Sequence, residues 1–215
     1  MERHRTSNAA LYRFESYTER KGKRKEMYKG LYDKFRNWFH EDKGNVWFYS
    51  DPHFSDEEMI YLRANYIGDL EQVKRINSKV GKYDTIIFLG DIGDPTPITD
   101  IRGYKVLIKG NHDSGNANYE KYFDEIYEGA LCVSEKIILS HEPIYFPFAL
   151  NIHGHDHSNW EFQDELHWNV CAEHINYTPI SLGEIIKSGK LKKIDSIHRI
   201  TIDGAIKRKE KEFYF

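Results

Sequence analysis

The chain has 215 residues, of which 40% are hydrophobic, 14% aromatic and 30% charged. This length suits one compact domain with terminal additions, and the supply of apolar side chains excludes wholesale disorder. No apolar run approaches the roughly 18–20 residues of a membrane span, and the N-terminal segment contains no apolar signal core. The two cysteines, Cys132 and Cys171, fit no CxxC pattern, so we expect a reducing, cytoplasmic location and no membrane contact.

The charge is distributed unevenly around a net value of −3. Residues 1–43 contain 12 basic and 7 acidic side chains, residues 187–215 contain 9 and 4, and residues 44–186 contain 10 and 23. One interpretation is that the basic ends are solvated helix faces and a charged tail. The other is that they help to hold a polyanionic substrate over an acidic centre that carries cations.

The first predicted elements are two helices that flank a strand. Met, Tyr, Leu, Phe and Trp side chains recur at spacings of three and four over residues 27–39, which predicts an amphipathic helix whose aromatic stripe packs on the domain body. A β-rich strand follows over residues 46–50. Ser55 is placed to cap a second helix that begins at residue 56, carries carboxylates in its first turn and runs to about residue 79.

The next predicted elements are short strands, each of which ends in a polar cluster. They cover residues 85–89, 106–109, 137–139, 151–153 and 167–174. Ser181 is placed to cap a short helix over residues 182–187. At the end of the chain, residues 197–202 and 206–215 flank Asp203-Gly204, a dipeptide that suits a type I′ turn, so we expect a β-hairpin there.

These elements divide the chain into three parts. Residues 1–43 form a basic N-terminal helical extension, residues 44–190 form the central domain, and residues 191–215 form a C-terminal β-hairpin extension. Because ligands in layered α/β folds gather at strand ends, we expect the polar clusters of the central domain to build one site from distant pieces.

The polar residues at these strand ends are nearly all of the types that bind metals. They are Asp51, His53, Asp91, Asn111, His112, His141, His155 and His157. Histidine and carboxylate without thiolate suit Mn, Fe, Zn, Co or Ni. Asp51 and His53 lie two residues apart, as do His155 and His157, and we expect the chain to turn at both pairs so that both residues of each pair can bind. Three glycines permit such turns and a close approach of the backbone: Gly90, Gly110 and Gly154.

Five motifs in this order resemble the signature blocks of the calcineurin-like metallophosphoesterase superfamily. They read Asp51-Pro52-His53, Gly90-Asp91-Ile92-Gly93-Asp94, Gly110-Asn111-His112-Asp113, His141 and Gly154-His155-Asp156-His157. Residues 169–182 are similar to the tail of the small, single-domain bacterial and phage members. The resemblance implies an α/β (α+β) fold, a four-layer αββα sandwich in which helices flank two mixed β-sheets and a dimetal site lies at the strand ends.

The resemblance further implies two divalent metal ions, with Mn as the first choice and Fe, Zn, Ni or Co as alternatives. One ion would be held by Asp51, His53, Asp91 and His157. The other would be held by Asp91, Asn111, His141 and His155, so that Asp91 bridges the two. A bridging hydroxide would attack phosphorus, because paired cations lower the pKa of a shared water toward neutrality.

His112 belongs to neither ligand set, and the resemblance implies that it is catalytic. It would stabilise the transition state and protonate the leaving oxygen, with Asp113 as a group that could orient it. The sequence names no substrate-binding residues.

The function that the resemblance implies is hydrolysis of a phosphodiester or phosphomonoester, with a nucleotide-like or small substrate. Diester or nucleotide chemistry is favoured because no inserted cap domain is evident that would enclose a substrate. Two alternatives stay open at this stage. One is a nuclease that uses the same site and binds DNA or RNA through the basic arm at residues 1–43. The other is a non-catalytic, metal-binding scaffold. The oligomeric state is not indicated.

Overall fold

The computed structural model describes residues 35, 38, 44–63, 65–113, 118–157 and 164–212. The strands in this part of the chain are β1 (Val46–Tyr49), β2 (Thr85–Phe88), β3 (Tyr104–Ile108), β4 (Glu125–Tyr127), β5 (Leu131–Ser134), β6 (Ile137–Leu139), β7 (Leu150–His153), β8 (His167–Asn169) and β9 (Ile180–Ser181). The α-helices are α1 (Met59–Leu62), α2 (Asp69–Lys79), α3 (Leu182–Lys187), α4 (Lys190–Lys193) and α5 (Ile197–Glu212).

The strands form two mixed sheets. The first has the order β4-β3-β2-β1-β9, in which β1 to β4 run parallel and β9 runs antiparallel to β1. The second has the order β5-β6-β7-β8, in which only the β5–β6 pair is antiparallel. Two mixed sheets with flanking helices confirm the predicted α/β sandwich.

Alternation along the strands separates two hydrophobic cores. Val46 and Phe48 on β1 belong to the core that also contains residues of the second sheet, such as Leu139. Trp47 and Tyr49 face the opposite way, into a core that contains Ile76 of α2. Because successive side chains of a strand point to opposite faces, the central strands β1 and β2 of the first sheet are buried on both sides along their whole length.

The two sheets are also tied together at one rim. Ser50, just past β1, donates its backbone N–H to the carbonyl of Val170 at 3.0 Å and accepts from the N–H of Ala172 at 3.0 Å. This pairing joins the end of β1 to the segment that follows β8, so the strand ends of both sheets meet.

The helix predicted to run from residue 56 to about residue 79 is wrong, because the structure has two helices there. Ser55 does not cap the first of them. Its backbone N–H and its hydroxyl donate to the carboxylate of Asp69 at 3.0–3.1 Å. Between α1 and α2, Asn65 has a φ of 65° and Gly68 precedes the new helix. Asn and Gly tolerate such non-helical conformations best, so the break falls at these residues.

The C-terminal β-hairpin is also wrong, because residues Ile197–Glu212 form a single helix, α5. Arg199 pairs with Asp203 one turn later at 3.1 Å, and the Thr201 hydroxyl donates to the carbonyl of Ile197 at 2.8 Å. A helix satisfies its own backbone groups, whereas an isolated two-stranded hairpin is marginal in water. The helical pairs therefore outweigh the turn preference of Asp203-Gly204, and the dipeptide lies within the helix.

The predicted cap at Ser181 and the predicted aromatic helix over residues 27–39 have different outcomes. The Ser181 cap is confirmed as a reciprocal capping box, in which Glu184 N–H donates to Ser181 Oγ at 3.1 Å and Ser181 N–H to Glu184 Oε2 at 2.8 Å. The predicted helix over residues 27–39 lies outside the described residues except for Phe35 and Trp38. Both side chains are buried in the core that contains residues of both sheets, such as Phe48 and Leu139. Among the described residues, no α-helix combines the length and the apolar character that crossing a bilayer requires.

One buried carboxylate fixes the entry into β1. Asp84 accepts hydrogen bonds from Asn45 N–H at 2.5 Å, Trp47 Nε1 at 3.0 Å and Gly81 N–H at 2.8 Å. Asn45 and Trp47 lie at the start of β1 and Gly81 follows α2, so this side chain connects the start of the sheet to the end of that helix.

We expect Asp84→Ala to lower the free energy of unfolding by about 2–4 kcal/mol, because it leaves three donors without their acceptor. Urea unfolding followed by circular dichroism measures the change. Glu128→Ala is the matched control, since it removes an exposed carboxylate paired with Lys109 at 2.7 Å and should change stability by less than about 1 kcal/mol. Equal effects of the two substitutions would contradict the role of Asp84.

Candidate metal centre

Left-handed turns bring the predicted ligands to face one another. Four of them have positive φ: Asp51 at 55°, His53 at 44°, Asp91 at 52° and His155 at 66°. Such a conformation costs roughly 1–2 kcal/mol for a residue with a Cβ, and it persists where the surroundings enforce it. Asp51 N–H donates to Gly90 O at 3.0 Å and His53 N–H to Asp91 O at 3.1 Å, which holds two of these turns against each other. The expected turns are therefore confirmed.

The cluster of candidate ligands also requires the loops that carry them to approach closely, and glycine residues allow this. At Gly154, a Cβ would lie 1.9 Å from Ser50 Oγ and 2.3 Å from Asp51 Oδ2. At Gly90, with a φ of 91°, a Cβ would lie 2.5 Å from His141 Nδ1. No side chain fits at either position, so these glycines let the ligand-bearing loops touch.

The first group of candidate ligands surrounds one oxygen of Asp51. Its Oδ1 atom lies 3.3 Å from His157 Nε2 and 4.0 Å from His53 Nε2. Asp51 is fully buried, and neither its Oδ1 nor His53 Nε2 has a hydrogen-bond partner among the described residues. A buried carboxylate oxygen without a donor is costly, and a cation at this point would satisfy it.

The second group surrounds His141. Its Nε2 atom lies 2.9 Å from Asn111 Oδ1, 3.0 Å from His155 Nδ1 and 3.4 Å from Asp91 Oδ2. One imidazole N–H cannot serve three partners that all offer lone pairs, whereas a divalent cation binds several such atoms at once. The donor set therefore fits a metal ion here as well.

Asp91 connects the two groups. Its Oδ2 atom lies 3.7 Å from His53 Nε2 and 3.4 Å from His141 Nε2. Its Oδ1 atom accepts the backbone N–H of His112 at 2.9 Å. All seven residues predicted as ligands therefore meet in one cluster centred on this carboxylate: Asp51, His53, Asp91, Asn111, His141, His155 and His157.

Charge pairing in this cluster shifts its protonation. Burial opposes ionisation of Asp91, but the hydrogen bond and the charge of His141 hold the pKa of Asp91 at about 2. Burial likewise disfavours a charged His141, but Asp91 and Asp51 raise the pKa of His141 to about 9. For His53, burial and the nearby Arg63 charge lower the pKa. In the absence of a metal ion, a proton on His141 therefore supplies the positive charge beside Asp91, and a bound cation would replace it.

His112 lies at the rim of the cluster. Its side chain is exposed, and its ring centroid lies 5.8 Å from that of His53. The structure therefore places His112 beside the cluster of candidate ligands, with its side chain open to solvent.

Asp113, which the sequence suggested could orient His112, instead accepts hydrogen bonds from the backbone of neighbouring loops. Its carboxylate accepts the backbone N–H groups of Asp91, Ile92 and Gly110 at 2.7–2.9 Å and the Tyr119 hydroxyl at 3.1 Å. These four donors occupy both oxygens, so Asp113 orients the loop that carries Asp91 and not the ring of His112.

Three further residues contact the cluster, and no motif pointed to them. The side chain of Arg63 donates to the carbonyl of Asp51 at 2.8 Å. The Cys171 thiol donates to Asp51 Oδ2 at 3.2 Å, and burial, followed by the charges of Asp51 and Glu173, raises its pKa so that it stays protonated. Glu173 Oε1 lies 2.7 Å from His157 Nδ1. Only Cys171 and Glu173 fall in a segment that the sequence marked, the tail over residues 169–182.

Comparison with known proteins identifies the class to which this site belongs. Residues 44–211 match the model of the family described as calcineurin-like phosphoesterase. The chain belongs to the calcineurin-like phosphoesterase family, which makes it a metal-binding phosphoric ester hydrolase. The resemblance read from the five motifs is confirmed.

Several relatives share this fold or sequence. The uncharacterized protein MJ1445 of Methanocaldococcus jannaschii is 30% identical over 168 residues, which cover 66% of this chain and 89% of the relative. The gene 66 protein of Mycobacterium phage L5 is 37% identical over 83 residues, or 32% of this chain and 40% of the relative. The crystal structure of the protein of unknown function AQ665 from Aquifex aeolicus has a TM-score of 0.57 and 28% identity, and covers 66% of this chain and 98% of that protein.

The two ligand groups predict separable metal losses. We expect His141→Ala to reduce bound Mn²⁺ from two ions to about one per chain, because it removes the central donor of the second group and leaves the Asp51 group intact. Elemental analysis of the dialysed protein measures the ratio of metal to chain.

His198→Ala is the control for that measurement, because His198 is exposed on α5 and should leave the ratio unchanged. Retention of both ions by His141→Ala would contradict the assignment of His141 as a ligand.

Proposed function

We propose that the chain is a metallophosphoesterase with a dinuclear divalent metal centre that hydrolyses phosphodiesters or phosphomonoesters of small or nucleotide-like substrates. The observation that carries the proposal is the position of Asp91, whose Oδ2 lies 3.7 Å and 3.4 Å from imidazoles of two different ligand groups. A single carboxylate oxygen placed between two such groups is what a bridged pair of ions requires.

The proposed ligand sets follow the two groups. One consists of Asp51, His53, Asp91 and His157. The other consists of Asp91, Asn111, His141 and His155. The two carboxylates offset only half the charge of two divalent ions, so the loaded site stays positive and attracts a phosphate. When bound, the ions supply Lewis-acid polarisation of the phosphate and a lowered pKa of shared water.

Mn²⁺ is the proposed ion, with Fe, Zn, Ni or Co as alternatives. The sets contain only nitrogen and oxygen donors, which suit these ions. The nearby Cys171 stays a thiol for the reason given above, so no thiolate enters the sets.

His112 is the proposed catalytic residue. Its backbone N–H is anchored on Asp91 Oδ1, which keeps its exposed side chain beside the bridging carboxylate. From that rim it can stabilise charge on the phosphate and donate a proton to the leaving oxygen.

Diester or nucleotide substrates are favoured for this site. His112 and His155 are exposed and His157 is partly exposed, so the described part of the rim is open to solvent. An open site admits substrates that differ in their leaving groups, and it selects mainly for the phosphate itself.

A nuclease is the second candidate, with the same site and a longer substrate. The helix α5 favours it, because its basic residues Lys207, Arg208 and Lys209 are exposed. The basic arm at residues 1–43 lies outside the described residues except for Phe35 and Trp38, so its role stays a prediction, as does a cytoplasmic location. The scaffold alternative is disfavoured, because the chain retains every candidate ligand and His112.

We expect the full chain loaded with Mn²⁺ to hydrolyse bis-p-nitrophenyl phosphate, and Asp91→Asn to abolish turnover together with metal binding. Release of p-nitrophenolate and elemental analysis measure the two effects. Absence of turnover with each of Mn, Ni, Co, Zn and Fe would refute the proposal.

Single-stranded DNA and RNA assayed in parallel test the nuclease, for which binding should weaken steeply as salt rises.

Substitution of His112 separates catalysis from metal binding. His112→Ala should retain two ions per chain and lower kcat by roughly 10²–10⁴-fold, because general acid catalysis contributes about that much. The loss should grow as the leaving group becomes poorer, so p-nitrophenyl and phenyl diesters are compared. Loss of metal from His112→Ala would show that His112 is a ligand instead.

A further inference from the structure

One of the two ligand groups is built from residues that are themselves held by buried side chains. His157 contributes its Nε2 atom, which lies 3.3 Å from Asp51 Oδ1. Its other nitrogen, Nδ1, lies 2.7 Å from Glu173 Oε1. A carboxylate can only accept, so Glu173 favours the tautomer with the proton on Nδ1 and leaves the lone pair on Nε2 for a metal ion.

Glu173 also forms an ion pair with Arg63. The Arg63 Nη1 atom lies 3.5 Å from Glu173 Oε2, and the two side chains are 3% and 15% exposed. The same Nη1 atom donates to the carbonyl of Asp51 at 2.8 Å. One guanidinium therefore ties the turn that carries Asp51 to the loop that carries Glu173.

Asp51 receives a matching constraint from Cys171. Its Oδ2 atom accepts the N–H of His155 at 2.9 Å and the thiol of Cys171 at 3.2 Å. With Oδ2 occupied by two donors, Oδ1 is the oxygen that faces His157 and has no hydrogen-bond partner among the described residues. Asp51 is thus presented through one oxygen.

Glu173 also controls the local charge. The Arg63 Nη2 atom lies 3.4 Å from His157 Nε2, so a permanent positive charge stands beside the position of the ion. Glu173 offsets that charge, because its Oε2 atom lies 3.5 Å from Nη1 of the same guanidinium. Without its carboxylate, the ion would meet both a misoriented imidazole and an uncompensated cation.

The second ligand group does not share these supports. His141 Nδ1 lies 2.7 Å from the carbonyl of Leu89, so a backbone group fixes the orientation of that ring. Removal of Glu173 leaves this contact in place. The two groups therefore depend on different neighbours, and they can be weakened separately.

We propose that Glu173, held by Arg63, is a positioning residue that orients His157 and thereby governs the occupancy of one of the two metal positions. This inference rests on the proposed dinuclear centre. It assigns a role to a carboxylate that binds neither metal nor substrate and that lies outside the five motifs.

The test compares Glu173→Gln and Glu173→Ala in the full chain. Gln keeps an oxygen acceptor and removes the charge, whereas Ala removes both. We expect Mn²⁺ affinity at one position to fall about 10–100-fold in Glu173→Ala and by less in Glu173→Gln, with the other position unchanged. Calorimetric titration and the Mn²⁺ electron paramagnetic resonance signal measure both affinities.

A control variant and a second measurement separate positioning from general stability. Asp164→Ala removes a similar carboxylate, 2.8 Å from Nδ1 of His167, which belongs to neither ligand group, and it should leave both affinities unchanged. Long-range ¹H–¹⁵N spectra of the metal-free protein report the tautomer of His157, which should be Nδ1–H in the wild type and mixed in Glu173→Ala.

The outcomes are distinguishable. Two unchanged Mn²⁺ affinities in Glu173→Ala, or an equal loss at both positions with an unchanged His157 tautomer, would overturn the positioning role. A wild-type chain that binds no divalent ion and hydrolyses no phosphate ester would overturn the proposed function, and this inference with it.

Discussion

The position of one buried carboxylate constrains the whole site. Asp91 must face two groups of imidazoles at once, and it does so from a left-handed residue with a φ of 52°. That conformation is unfavourable by itself, and Asp113 stabilises it by accepting the N–H groups of Asp91 and Ile92 at 2.7 Å and 2.9 Å. A second buried carboxylate therefore holds this loop in place by accepting hydrogen bonds from its backbone.

The sandwich provides the rigidity that such strain requires. Both faces of the first sheet are buried, and the end of β1 is paired with the segment after β8 through Ser50. Strained residues lie just beyond these strand ends, where the hydrogen bonds of the sheet stop and side chains take over. Packing in the two cores offsets the local cost, so the fold can hold several unfavourable turns at one rim.

The two ligand groups differ in how they are supported. His141 is oriented by the backbone carbonyl of Leu89, the residue directly after β2. His157 is oriented by Glu173, a side chain that depends on Arg63. Support from a backbone group is robust to substitution, whereas support from a side chain can be tuned by it. In the proposed dinuclear centre, this difference would make the two metal positions unequal in affinity.

The sequence by itself predicted most of the strands, the Ser181 cap and the seven candidate ligands at the strand ends, and the resemblance of its motifs to a family implied the sandwich. The strands, the cap and the motifs are local features, because a strand and the polar residues at its end are neighbours in the chain. The tertiary structure decided the rest. The break between α1 and α2, the helix α5 and the contacts of Arg63, Asp113, Cys171 and Glu173 depend on partners distant in sequence or on competition between local patterns. Spacing along the chain carries no signal for such partners, since a side chain that orients another is defined only by where both lie in space.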